Sequence, residues 1–119
     1  MTRRKVAKFA WLHSLRTCCL SARADIQIAH LHEHEWSGMG RKVSDVLTLP
    51  LSHLLHAAQH KYPLEFWQRA LPGEDPKDWA VRLDDIWQDR DLESAAALFG
   101  DMQAKADRAY LAQFLMRAA

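Results

Sequence analysis

Histidine is the side chain that changes protonation nearest neutral pH, and this chain carries seven of them. Three fall in a pattern that suggests chemistry. His56 and His60 stand four residues apart in a stretch with helical spacing, and His30 closes a short stretch with strand alternation. Side chains at i and i+4 of a helix meet on one face, so two neutral imidazoles placed there can bind one metal ion. A histidine arriving from a neighbouring strand end can complete the site or act as a general base beside it. Metal-dependent hydrolysis of a phosphodiester needs these parts: a cation to stabilise charge on the phosphate and leaving oxygen, and a base to activate water.

Around this set lie groups that suit a polyanion. Arg3, Arg4, Lys5 and Lys8 open the chain, and Arg41 and Lys42 follow the two glycines of Gly38-Met39-Gly40. Glycines let backbone approach a phosphate closely, and the two cations add charge. Asp45 either orients the base histidine or a ligand, or is a plain turn residue. The other histidines carry less: His13 reads as structural or merely exposed, His53 as exposed, and His32 and His34 as loop residues available as substitutes for His30. Trp67, Trp79 and Trp87 sit at helical spacing with other apolar residues and read as core. Trp36, in the polar loop, is placed to stack on a base or to anchor the loop.

The elements that must position these groups follow from periodicity. Residues 4–16 suit a short amphipathic helix, with Val6, Phe9, Ala10, Trp11 and Leu12 among basic residues. Residues 17–23 break it and carry the cysteines. Ile26 and Ile28 alternate with Asp25 and Gln27 and predict a strand that ends at Ala29-His30. Residues 31–45 form a polar loop. Val46, Leu47 and Leu49 around Thr48 predict a second strand, ended by Pro50. From Leu51 the spacing is helical, with Leu51, Leu54, Leu55 and Ala58 on one stripe, until Tyr62-Pro63 stops it. A short helical piece over 64–70 follows. Asp75-Pro76 then supplies an N-cap and a first-turn proline for a helix to about Gln88. Asp91 caps a last helix from Leu92 to near Arg117, with Gly100 as its weak point. The fold class is α+β and mostly helical: a small ββα unit flanked by an N-terminal helix and two to three C-terminal helices.

Length and composition agree with one domain over 1–119: 49% hydrophobic and 26% charged residues suit an ordinary globular core. Disorder, a collagen-like fibre and a disulfide scaffold are excluded. The two cysteines, Cys18 and Cys19, are adjacent and cannot make a disulfide framework. No apolar run reaches the ~18–20 residues of a membrane span, and His13 and Arg16 interrupt what would be a signal peptide's apolar segment. The expectation is a cytoplasmic protein without membrane contact. Residues 1–62 hold nine Lys/Arg against four Asp/Glu, and residues 63–119 seven against eleven. Polyanion contacts are therefore expected on the first half.

Taken in order, the basic helix ending in LRTCCLS, the strand end IAHL, the loop GMGRKVSD, the segment LTLPLSHLLHAAQH, and EFW followed by LPGEDP resemble the HNH (ββα-metal) endonuclease superfamily. The resemblance is to its phage recombination-enhancement type and covers residues 4–88, roughly 70% of the chain by eye. Residues 91–117 form a C-terminal helical extension beyond it. In that family the loop reads G-M-G-x-K-x-x-D, the helix opens Pro-Leu-Cys, and two histidines stand four apart further along. The resemblance implies a single divalent ion, magnesium or manganese with nickel or zinc as alternatives, held by His56 and His60. It implies His30 as the general base or as a further ligand, since Ala29 stands where many relatives carry a metal-binding residue. The family's structural zinc uses two C-x-x-C pairs. Here those places hold Cys18, Ser21, Ser52 and Leu55, so no structural zinc is expected.

Two function classes follow. The first is a phage-type HNH-like DNA endonuclease or nickase in recombination, with Arg3, Arg4, Lys5, Lys8, Arg41 and Lys42 on the phosphates. The second is a catalytically inactive protein of the same fold that binds DNA, or a host or phage protein such as a defence complex. DNA is the expected partner of the first; oligomeric state is not readable from the sequence.

Overall fold

A computed structural model describes residues 3–31 and 45–116. Arg41, Lys42, His32, His34, Trp36 and the two loop glycines lie outside the described residues. The order of elements is helix α1 (Arg3–Leu15), strands β1 (Ile26–His30) and β2 (Thr48–Ser52), then helices α2 (His53–Lys61), α3 (Pro63–Ala70), α4 (Pro76–Gln88), α5 (Leu92–Lys105) and α6 (Arg108–Leu115). The fold is α+β and mostly helical, with a ββα unit at its centre.

The strands form an antiparallel pair with Ile28 opposite Pro50 and His30 opposite Thr48. The sequence predicts that β2 ends at Pro50, but it continues to Ser52. The pairing explains how. Leu31 donates its N–H to the Leu47 carbonyl at 2.9 Å. Hydrogen-bonded pairs alternate along an antiparallel ladder, so the Ile28–Pro50 pair falls in the non-bonded class, where a missing N–H costs no ladder bond. The Pro50 carbonyl instead accepts from Cys19 N–H at 2.9 Å, tying the α1–β1 connection to the sheet. Helix α2 accordingly starts at His53, two residues later than the periodicity suggests. Its first N–H, on His53, is satisfied by the Asp25 carbonyl at 3.0 Å.

Asp75 and Asp91 cap α4 and α5 through Lys77 N–H and Ser94 N–H, as their residue types lead one to expect. The last predicted helix divides into two. The division falls not at Gly100 but at Ala106-Asp107, where Ala106 is extended and Asp107 caps α6 by accepting from Tyr110 N–H. Asp107 N–H also bonds the Ala70 carbonyl at 2.9 Å, fixing the corner against the end of α3.

The core runs through the sheet and all six helices. Leu12, Cys18, Leu49, Leu51, Leu55, Phe66, Leu71, Leu83 and Met102 are fully buried in one cluster. Trp67, Trp79 and Trp87 are buried as expected, and Ile86 is half-buried. Among the described residues no helix is long and apolar enough to cross a membrane.

Candidate metal centre

Helix α2 leaves β2 so that its first turns lie beside β1. His56 and His60 project from one face, and their Nε2 atoms stand 3.1 Å apart. Metal–nitrogen bonds of 2.0–2.1 Å at tetrahedral angles place two ligand nitrogens about 3.3 Å apart, so the pair is nearly at chelating distance. Its hydrogen bonds fix which nitrogens carry protons. The Oε1 atom of Gln27, on β1, lies 2.6 Å from His56 Nδ1, and an amide oxygen can only accept. His56 Nδ1–H therefore donates to Gln27. The Gln27 Nε2 amide donates to His53 Nδ1 at 2.9 Å. In neutral His56 the remaining Nε2 is an acceptor, so His60 Nε2–H donates to it. The result is a one-way chain of donation, His60 to His56 to Gln27 to His53.

His56 is half-buried while His60 and His53 are exposed. Burial first, then the charges of His60, His30 and His53, push the His56 pKa below the ordinary histidine value. His56 is thus held neutral, the form in which imidazole binds a metal. Gln27, which no motif singled out, is the residue that sequence reasoning missed. Its only signal is its place in β1, three residues before His30, on a strand packed against α2.

His30 ends β1 half-buried, its ring edge-on to Phe9 of α1 with centroids 5.8 Å apart. Its carbonyl accepts from Gln59 Nε2 at 2.9 Å, which pins α2 to the strand end. It is close enough for its charge to act on His56. Among the described residues, however, no group of three or more His, Cys, Asp or Glu side chains is placed to hold a metal. Among the described residues the donors that fit an ion are the His56–His60 pair, with the remaining positions left to water or substrate.

The other candidates separate. Asp45 lies at the start of β2's approach, where its carboxylate takes Arg4 and its carbonyl accepts from Thr48 Oγ1 at 2.8 Å and Lys8 Nζ at 2.8 Å. Asp45 is thus a turn residue bound to α1. Lys8 is fully buried, its ammonium 2.7 Å from Asp84 Oδ1 on α4. It cannot contact a phosphate from outside. Arg4 bridges Asp45 and Asp84, at 2.9 and 3.0 Å to the latter, with its guanidinium over the Trp87 ring. Of the first helix's cations, Arg3 is exposed and Lys5 half-buried.

The four positions at which the resemblance would place a structural zinc, Cys18, Ser21, Ser52 and Leu55, hold side chains that do not fit one. Cys18 is fully buried and its sulfur accepts from Ser21 N–H at 3.4 Å. Leu55 is fully buried in the apolar core, and the buried Ser52 hydroxyl has no hydrogen-bond partner among the described residues.

No family model, curated protein or solved structure matches this chain.

Proposed function

We propose that this protein is a metal-dependent DNA endonuclease or nickase of the ββα-metal kind, working in phage recombination in the cytoplasm of a bacterial host. The observation that carries the reading is the His56–His60 pair. Two imidazoles lie with Nε2 atoms 3.1 Å apart, on a helix that directly follows an antiparallel strand pair. The motif order of the sequence supports it.

His56 and His60 would hold a divalent ion, which supplies positive charge to a phosphate oxygen and to the departing oxygen. The rest belongs to the chain. His30, at the strand end, takes a proton from the attacking water onto an imidazole nitrogen. Gln59 holds the His30 carbonyl and so fixes the strand end against α2. Arg3, Lys5, Arg41 and Lys42 grip the flanking phosphates.

The second reading is an inactive relative that binds DNA, or a host or phage protein. Its support is specific: Ala29 replaces a customary ligand, and no three potential metal ligands come together among the described residues. A plasmid-nicking assay with magnesium, manganese, nickel and zinc, beside His56→Ala and His30→Ala, separates the two. Nicking that needs a metal and is lost in both variants supports the nuclease. DNA binding without nicking in any metal replaces it with the second reading.

A further inference from the structure

We propose that Gln27 is a positioning residue for the metal centre: its side-chain amide selects the His56 tautomer and so aims the His56 Nε2 lone pair at the ion shared with His60. The proposal rests on the metal reading of that pair. Its own basis is the geometry on both ends of one amide. Gln27 Oε1 is 2.6 Å from His56 Nδ1, and Gln27 Nε2 is 2.9 Å from His53 Nδ1. An amide has one accepting end and one donating end, so the two imidazoles are forced into opposite tautomers. His56 must carry its proton on Nδ1, and His53 on Nε2. A strand residue thereby sets the protonation pattern of a helix face. This is the kind of outer-shell hydrogen bond that orients a ligating histidine and raises its basicity.

A second consequence concerns His60. While no ion is bound, its Nε2–H donates to His56 Nε2. To ligate, His60 must lose that proton from Nε2. It moves to Nδ1 or goes to solvent, and His56 needs no change. Gln27 thus makes His56 the prepared ligand and His60 the one that adjusts.

The test uses the full chain with ¹⁵N-labelled histidine at pH 8, first with chelator and then with zinc. Long-range imidazole spectra report the tautomers, and calorimetry reports the affinity. The metal-free wild type is expected to show His56 as Nδ1–H and His53 as Nε2–H. Zinc is expected to remove the Nε2–H form of His60. Gln27→Leu should release both His56 and His53 to mixed tautomers and weaken zinc binding by about 10–100-fold. Gln27→Glu, whose carboxylate only accepts, should keep His56 as Nδ1–H, turn His53 to Nδ1–H, and keep zinc affinity within a few-fold. That rescue separates positioning from a loss of fold. His56 found as Nε2–H in the wild type, or equal zinc affinity in Gln27→Leu, overturns the proposal while leaving the metal reading standing. A wild type with the expected tautomers but no heat with any ion overturns the metal reading, and Gln27's role toward an ion falls with it.

Discussion

His56 joins three roles in one side chain: it donates to a strand, accepts from its helical neighbour and stays uncharged. The last follows from burial and from three nearby imidazoles. A pKa below the unfolded value has a fixed sign. As pH falls below about 6.5, the reference histidine value, the unfolded chain takes up the proton first, and the folded state loses stability until His56 itself protonates. Urea midpoints measured from pH 7.5 downward should therefore decline through that window in wild type and decline less in His56→Ala. Ion binding gives the more direct check. Wild type should show heat on titration with at least one of magnesium, manganese, nickel or zinc, and a His56→Ala/His60→Ala variant should show none. Equal heats in both proteins would remove the site. Affinity should persist to lower pH than an unperturbed His56 would allow, because its neutral form survives there.

At the scale of elements, the ion pair between α1 and α4 matters most. Lys8 is fully buried, yet it has three oxygens within 3.5 Å: Asp84 Oδ1 and the carbonyls of Asp45 and Val46. Burial raises the Asp84 pKa, but the hydrogen bonds and charges of Lys8 and Arg4 overcome it and leave the carboxyl below its usual range. Asp84→Asn strands a buried ammonium and should cost about 3–5 kcal/mol by urea denaturation. Lys8→Met/Asp84→Asn should cost clearly less, since no unpaired charge stays inside. The Ser52 hydroxyl is the opposite case. It is buried with no hydrogen-bond partner among the described residues, so Ser52→Ala should be neutral or stabilise by about 1 kcal/mol. Most of these elements were readable from periodicity and caps: α1, β1, α3, α4 and the Asp91 start of α5. The misses have physical causes. Proline reads as a strand end, but a two-stranded ribbon tolerates it wherever the ladder needs no N–H. The Asp107 break was hidden because alanines and leucines keep helical spacing through it, and its cause is tertiary, the Ala70 carbonyl. The His56–His60 pair was readable because four-residue spacing fixes it. Gln27 was not, because strand-to-helix contacts leave no mark on local spacing. Lys8 looked like surface charge for the same reason, its partner lying 76 residues away.

For the whole molecule, a Cα radius of gyration of 13.7 Å is close to the about 13.5 Å expected of a compact chain of this length. The basic first half and acidic second half are joined inside that body, since Asp84 of the acidic half neutralises Lys8 and Arg4 of the basic half. Part of the charge asymmetry is therefore spent on folding and is withdrawn from any nucleic acid. This divides the cations into two groups that a salt titration can tell apart. Binding that releases counterions from duplex DNA falls with salt at a log–log slope of about −0.9 per neutralised phosphate. If Arg41 and Lys42 contact phosphates, Arg41→Ala/Lys42→Ala should weaken binding and reduce the slope by about one to two. Lys8→Met, in a protein still folded by circular dichroism, should leave the slope unchanged, because its charge never reaches the DNA. Fluorescence anisotropy with a duplex across 50–300 mM salt measures both. A slope that drops with Lys8→Met would mean that α1 opens from α4 on binding. An unchanged slope in the Arg41/Lys42 variant would move the DNA contact away from the loop and onto Arg3 and Lys5 of the first helix.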